Sequence, residues 1–141
     1  MGEINQDANP EFRYKQLWLT VGYALVLFVV YLSVTSEPPE VELGFKFQDK
    51  LFHALAYFSL MFWFAQIYHV KTQRLIIALM FVALGVSMEG VQSFDPKRYA
   101  EFDDMVANTF GVAVGILLTK KALKNLLKQF ETRFLSKKLE P

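Results

Sequence analysis

In the stretch DKLFHALAYFSLMFWF, Asp49 to Phe64, an acid, an ammonium, an imidazole and a phenol stand at the head of a run otherwise fit for lipid. Asp49, His53 and Tyr57 are spaced i, i+4, i+8, which on a helix is one face over about two turns. An imidazole beside a carboxylate can exchange a proton near neutral pH, as a general base or a nucleophile. Lys50 brings a fixed positive charge of the kind that meets a phosphate. Further along, Gly85, Glu89 and Gln92 fall at i, i+4, i+7. Asp104, Asn108, Gly111 and Gly115 form a third stripe of the same kind.

Each of these residues also has a plainer use. A single histidine in an apolar helix can be a hydrogen-bonded packing residue, and Glu89 can be an interhelical partner. Asp103 suits an N-cap. Gly111 and Gly115 make a G-x-x-x-G pair that lets another helix approach, and with Gly85 they are expected at helix packing. Three stripes arriving at one depth favour a pocket over three separate packing devices. A carboxylate near the bilayer centre costs at least about 2.5–3.5 kcal/mol, so Glu89 and Asp104 are expected to point inward, toward His53, Lys50 or Arg98.

The elements that must position these residues follow from charge patterning. The chain has 141 residues, enough for one domain, and 53% of them are hydrophobic. Residues 17–34, 51–70, 75–88 and 105–119 hold no aspartate, glutamate, lysine or arginine. Four such runs between charged connections predict an all-α, polytopic membrane protein with helices at about 14–34, 49–69, 73–93 and 103–121. The first run has 18 residues, longer than the core of a signal peptide, and is read as a retained helix. Pro38 and Pro39 break the first connection, and Pro96 the third. With no cysteine, thiol nucleophiles, disulfides and thiolate metal sites are excluded.

Lysine and arginine are distributed unequally. Arg13, Lys15, Lys71, Arg74 and the seven basic residues of the tail share one side, eleven in all, against four (Lys46, Lys50, Lys97, Arg98) on the other. The positive-inside rule then puts both termini in the cytoplasm and the polar stripes at the outer end. The tail, residues 120–138, spaces Leu123, Leu126, Leu127, Phe130 and Phe134 helically between lysines. It is expected to be an amphipathic helix on an anionic leaflet; a solvated extension of the fourth helix is the other reading. No nucleic-acid module is visible.

The ordered pattern of Asp49, Lys50, His53 and Tyr57, then Glu89 and Gln92, then Arg98, Asp104, Asn108 and Gly111 resembles the VanZ-like family. It covers residues 49 to 118, half of the chain, with Pro96-Lys97-Arg98 in place of the family's usual Pro-Gly-Arg turn. The resemblance implies a small multi-pass protein of the bacterial inner membrane. It also implies a link to the cell envelope and to teicoplanin resistance, the trait of the member that gave the family its name. It implies no particular reaction.

Three functions fit the residues. In the first, the outer pocket binds an anionic, phosphate-bearing envelope lipid or glycan precursor. Lys50 and Arg98 would meet the phosphate, and Asp49, Tyr57, Gln92 and Asn108 would complete the ligand-binding set. In the second, a hydrolase or transferase uses His53, Asp104 and Glu89 as catalytic groups on such a lipid. A metal-dependent variant of it would use Asp49, His53, Glu89 and Asp104, but no H-E-x-x-H spacing supports zinc, and no metal or cofactor is assigned. In the third, the buried carboxylates relay protons in a transporter, which four helices without a repeat would manage only as an oligomer. Membrane lipids are the expected partners.

Overall fold

The computed structural model describes residues 8–120 and 123–135, and among these it is all helical. Four long helices run Lys15–Val34 (α1), Gln48–Ile67 (α2), Lys71–Gln92 (α3) and Phe102–Leu118 (α4). A short α5, Leu126–Phe130, continues into a π-helical turn, Glu131–Leu135. The expected helices are present, with ends shifted by two residues or more in places. α2 stops at Ile67 because Tyr68 is extended, and α3 begins at once from Lys71. α4 stops at Leu118, short of the expected 121, and the next hydroxyl, that of Thr119, turns back to donate to the Gly115 carbonyl at 2.7 Å.

Glycine sets how closely the helices approach. α2 packs most extensively on α4, and α3 lies against both. A methyl group at Gly111 would sit 2.1 Å from the Ala54 carbonyl oxygen, and one at Gly115 would sit 2.9 Å from Met61 Cβ. Gly85 does the same for α3, where a methyl would lie 3.1 Å from Asn108 Nδ2. Backbone is therefore against backbone along α2 and α4, as small residues permit in helix pairs. Tyr57, Leu60, Met61, Phe64, Phe81 and Val112 fill the centre.

One end of the bundle holds the first and last described residues. Arg74, buried in the first turn of α3, donates from Nε to the Tyr68 carbonyl at 2.8 Å and from Nη2 to that of Ala65 at 2.6 Å. Its Nη1 reaches the Thr119 carbonyl at 3.0 Å. One guanidinium thus serves orphan carbonyls at the ends of α2 and α4. Within the described part of the tail, residues 123–125 form turns and the helix begins at Leu126. Leu127 is buried against Trp18 and Ile67. The Glu131 carboxylate accepts from the backbone N–H groups of Arg13 and Tyr14, at 2.8 and 3.1 Å, and from the Trp18 indole at 2.6 Å. Burial would raise its pKa, but these donors hold it below the ordinary range. The carboxylate therefore caps the start of α1 from 117 residues away. Phe130 and Phe134 keep an exposed apolar edge. Residues 121, 122 and 136–138 of the expected tail helix lie outside the described residues.

At the opposite end the two long connections meet. Ser36 donates to Asp95 at 2.7 Å, and Lys97 pairs with Glu37 at 3.0 Å. Two helices, α1 and α3, are long and apolar enough to cross a membrane. α4 has only 17 residues, and α2 gives its first turn and a half to Gln48, Asp49, Lys50 and His53. The outer surface of the bundle is apolar on all four helices, with Leu27, Phe28, Phe52, Leu55, Leu79, Met80, Val106 and Phe110 exposed.

Candidate functional site

The polar stripes of α2, α3 and α4 converge at the end opposite Arg74 and α5. Asp49 and Lys50 are in the first turn of α2, and His53 is one turn on. Asp104 and Asn108 are one turn apart on α4, and Glu89 is in the penultimate turn of α3. Because Gly111 brings α4 onto the α2 backbone, groups on the two helices reach one another across the seam. His53 Nδ1 lies 3.1 Å from Asn108 Oδ1, and His53 Nε2 lies 3.6 Å from Asp104 Oδ2 and 3.8 Å from Asp49 Oδ1.

Lys50 is the hub of the charges. Its ammonium bonds Asp104 and Glu101 and sits 3.4 Å from Asp49 Oδ2. Asp49 and Asp104 thus each give one oxygen to Lys50 and turn the other toward the imidazole. Asp104 is 4% exposed, deep enough that removing its cation would leave a costly buried charge. Glu89 is 1% exposed. One of its oxygens accepts from the Glu101 backbone N–H at 3.2 Å, and Oε1 has no partner among the described residues. The Tyr57 hydroxyl is likewise buried without a partner.

Several expected ligand-binding groups are elsewhere. Arg98 does not turn into this cluster: its Nη1 donates to the Ser33 carbonyl at 2.5 Å. Gln92 donates to the same carbonyl at 2.9 Å. Both therefore secure the last turn of α1, a use that local spacing could not reveal. The turn that sends Arg98 back is held by Asp95, whose Oδ1 accepts from the Lys97 backbone N–H at 2.9 Å. That bond, with the Ser36 hydroxyl on the other oxygen, holds the Asp95 carboxyl below its ordinary range. Tyr57 is 2% exposed and faces the core rather than an opening. Asp103 is exposed in the first turn of α4 and caps nothing; Glu101 occupies the N-cap position with no side-chain cap bond. Glu101 itself escaped the sequence reading, although its place three residues before Asp104 puts both on the side that meets Lys50.

The charge balance of the cluster is negative. Three carboxylates, Asp49, Glu101 and Asp104, surround one ammonium and one imidazole, and the buried Glu89 carboxyl lies behind them. Asp49, His53 and Asp104 offer three ligand atoms within 4.8 Å of one another, so the set can hold a cation. A cavity of about 480 Å³ near the other end is lined by Lys71, Arg74, Leu75, Ile116 and Lys120 and takes no part in the cluster.

The family model described as VanZ/LLP1 matches residues 3–127, well over half of the chain. No curated protein and no solved structure matches it.

Proposed function

We propose that this chain, which belongs to the VanZ/LLP1 family, is a four-span membrane protein whose outer polar cluster receives the phosphate-bearing headgroup of an envelope lipid or glycan precursor. Both termini face the cytoplasm, as the eleven-to-four basic asymmetry requires. α2 and α4 cross beside α1 and α3, since all four expose apolar side chains outward. In this setting the interfacial end of the bundle meets headgroups, and its apolar flanks meet acyl chains.

The observation that carries the reading is the convergence of polar side chains from three helices at one end of an apolar bundle. Packing alone does not call for an imidazole, an ammonium and four carboxylates there, and such groups within spanning segments mark functional sites by default. A tie to teicoplanin-type resistance would follow from capture of an envelope precursor. The His53–Asp104 approach of 3.6 Å favours a second reading, a hydrolase or transferase acting on the same lipid. Native mass spectrometry of the purified chain, followed by identification of its lipid, tests both. An intact phosphate-bearing lipid supports binding, a headgroup-altered product supports the enzyme, and retention of neutral lipids alone contradicts both.

A further inference from the structure

The geometry points to a divalent-cation site formed by His53 Nε2 and one oxygen each of Asp49 and Asp104. It rests on the outer-end site proposed above and names what lets an acid-rich cluster receive an anion. Lys50 is already shared among carboxylates, and Arg98 is bound to Ser33. A phosphate arriving at these groups would meet surplus negative charge. A bound dication reverses that sign.

Three features of the cluster argue for the ion. First, the Asn108 amide oxygen lies 3.1 Å from His53 Nδ1, which leaves Nε2 as the ring nitrogen that faces Asp49 and Asp104. This is the arrangement in which a neighbouring polar group orients a metal-ligating histidine. Second, the spacing suits a metal better than a shared proton. Charge-assisted N–H···O bonds run about 2.7–2.9 Å, whereas these separations are 3.6 and 3.8 Å. An ion with bonds of about 2.1 Å keeps tetrahedral ligands ~3.4 Å apart. Third, Glu89 Oε1 is buried and unpartnered, within electrostatic reach of Asp104, His53 and Lys50. A buried oxygen of this kind calls for a partner, which an ion or its bound water would supply.

One imidazole and two carboxylates suit Mn²⁺ or Zn²⁺ better than Mg²⁺ or Ca²⁺, which prefer oxygen alone. Three protein donors leave a position open, where a phosphate oxygen can bind. The ligands come from two helices 51 residues apart in sequence between His53 and Asp104, so no short motif announces them.

The test uses the full chain in detergent, stripped with a chelator and titrated with Mn²⁺ alone. Electron paramagnetic resonance should show one saturable ion per chain, and electron spin echo modulation should show a coordinated imidazole nitrogen. His53→Ala should lose the nitrogen signal, as should His53→Gln if the alanine variant folds poorly. Asp104→Asn should weaken binding about tenfold or more. Asp103→Asn, one residue away and exposed, should leave it unchanged. Absence of saturable binding, binding without the nitrogen signal, or equal affinity in all variants overturns the inference. Lipid retention that is unaffected by the chelator also overturns it while leaving the proposed function standing. Mn²⁺ binding with the nitrogen signal but without any phosphate-bearing lipid keeps the ion and removes the lipid.

Discussion

Replacing Gly111 by alanine adds one methyl group at the tightest point between α2 and α4. That methyl would lie 2.1 Å from the Ala54 carbonyl oxygen and 2.9 Å from the Phe58 nitrogen, where ordinary contact begins at 3.4 Å. Both obstacles are backbone, so no side chain can swing aside, and the helices must separate locally by about 1.3 Å. Overpacking of this kind costs about 1–3 kcal/mol. The consequence reaches the polar cluster, because Gly111 lies one turn below Asn108. A separation of that size takes the His53–Asn108 contact from 3.1 Å to beyond hydrogen-bonding range. Gly90 is the control: a methyl there meets nothing within 4 Å. Gly90→Ala should be neutral or stabilising by up to about 1 kcal/mol through helix propensity. Thermal unfolding in detergent, followed by tryptophan fluorescence, compares the two variants directly. A Gly111→Ala protein that melts with the unsubstituted chain would refute the close backbone approach on which the site geometry depends.

Glu131→Gln keeps the shape of the cap on α1 but removes its charge. It should cost about 1 kcal/mol and raise amide exchange in residues 126–135 and at the start of α1, measured by hydrogen exchange. His69 is buried beside Arg74 and Lys124, with its pKa lowered to about 4 and its ring against the Lys124 carbonyl. The unfolded chain therefore binds more protons than the folded one between about pH 6.5 and 4. Stability is full above that window and falls as pH drops through it, by at most about 3 kcal/mol, and His69→Gln should flatten the profile of melting temperature against pH. The chain has no cysteine, so single cysteines at Ser36 or Lys97 should react with an impermeant thiol reagent outside intact cells. Labelling at Lys71 or Lys137 instead would invert the topology.

Much of the helical layout was legible because charge-free runs and prolines are local signals. Glycine spacing likewise gave the packing faces of Gly85, Gly111 and Gly115, and the i, i+4 pattern placed Asp49, His53, Asp104 and Asn108 on their stripes. What could not be read was partner choice across the bundle. Arg98 and Gln92 lie in the same neighbourhood of sequence as Glu89, yet they close on Ser33 at the end of α1. Arg74 reads as one of the basic residues that set the orientation, but burial and three backbone carbonyls make it a fastener of helix ends. The helical spacing of Leu123, Leu126, Leu127, Phe130 and Phe134 promises an amphipathic helix along the tail. Long-range bonds from Glu131 and burial of Leu127 dock its described part against α1 and α2, and neither has a counterpart in local spacing.

The central claim is that the cluster of His53 and Asp104 is a ligand site rather than a clasp holding α2 to α4. Native mass spectrometry and thermal unfolding, run on the same preparations of the unsubstituted chain, His53→Ala and Asp104→Asn, form the most direct measurement. The account predicts that the unsubstituted chain retains a phosphate-bearing lipid and that both variants lose it while melting within a few degrees of the parent. Retention of the same lipid by both variants, or loss of lipid in proportion to loss of stability, would contradict it.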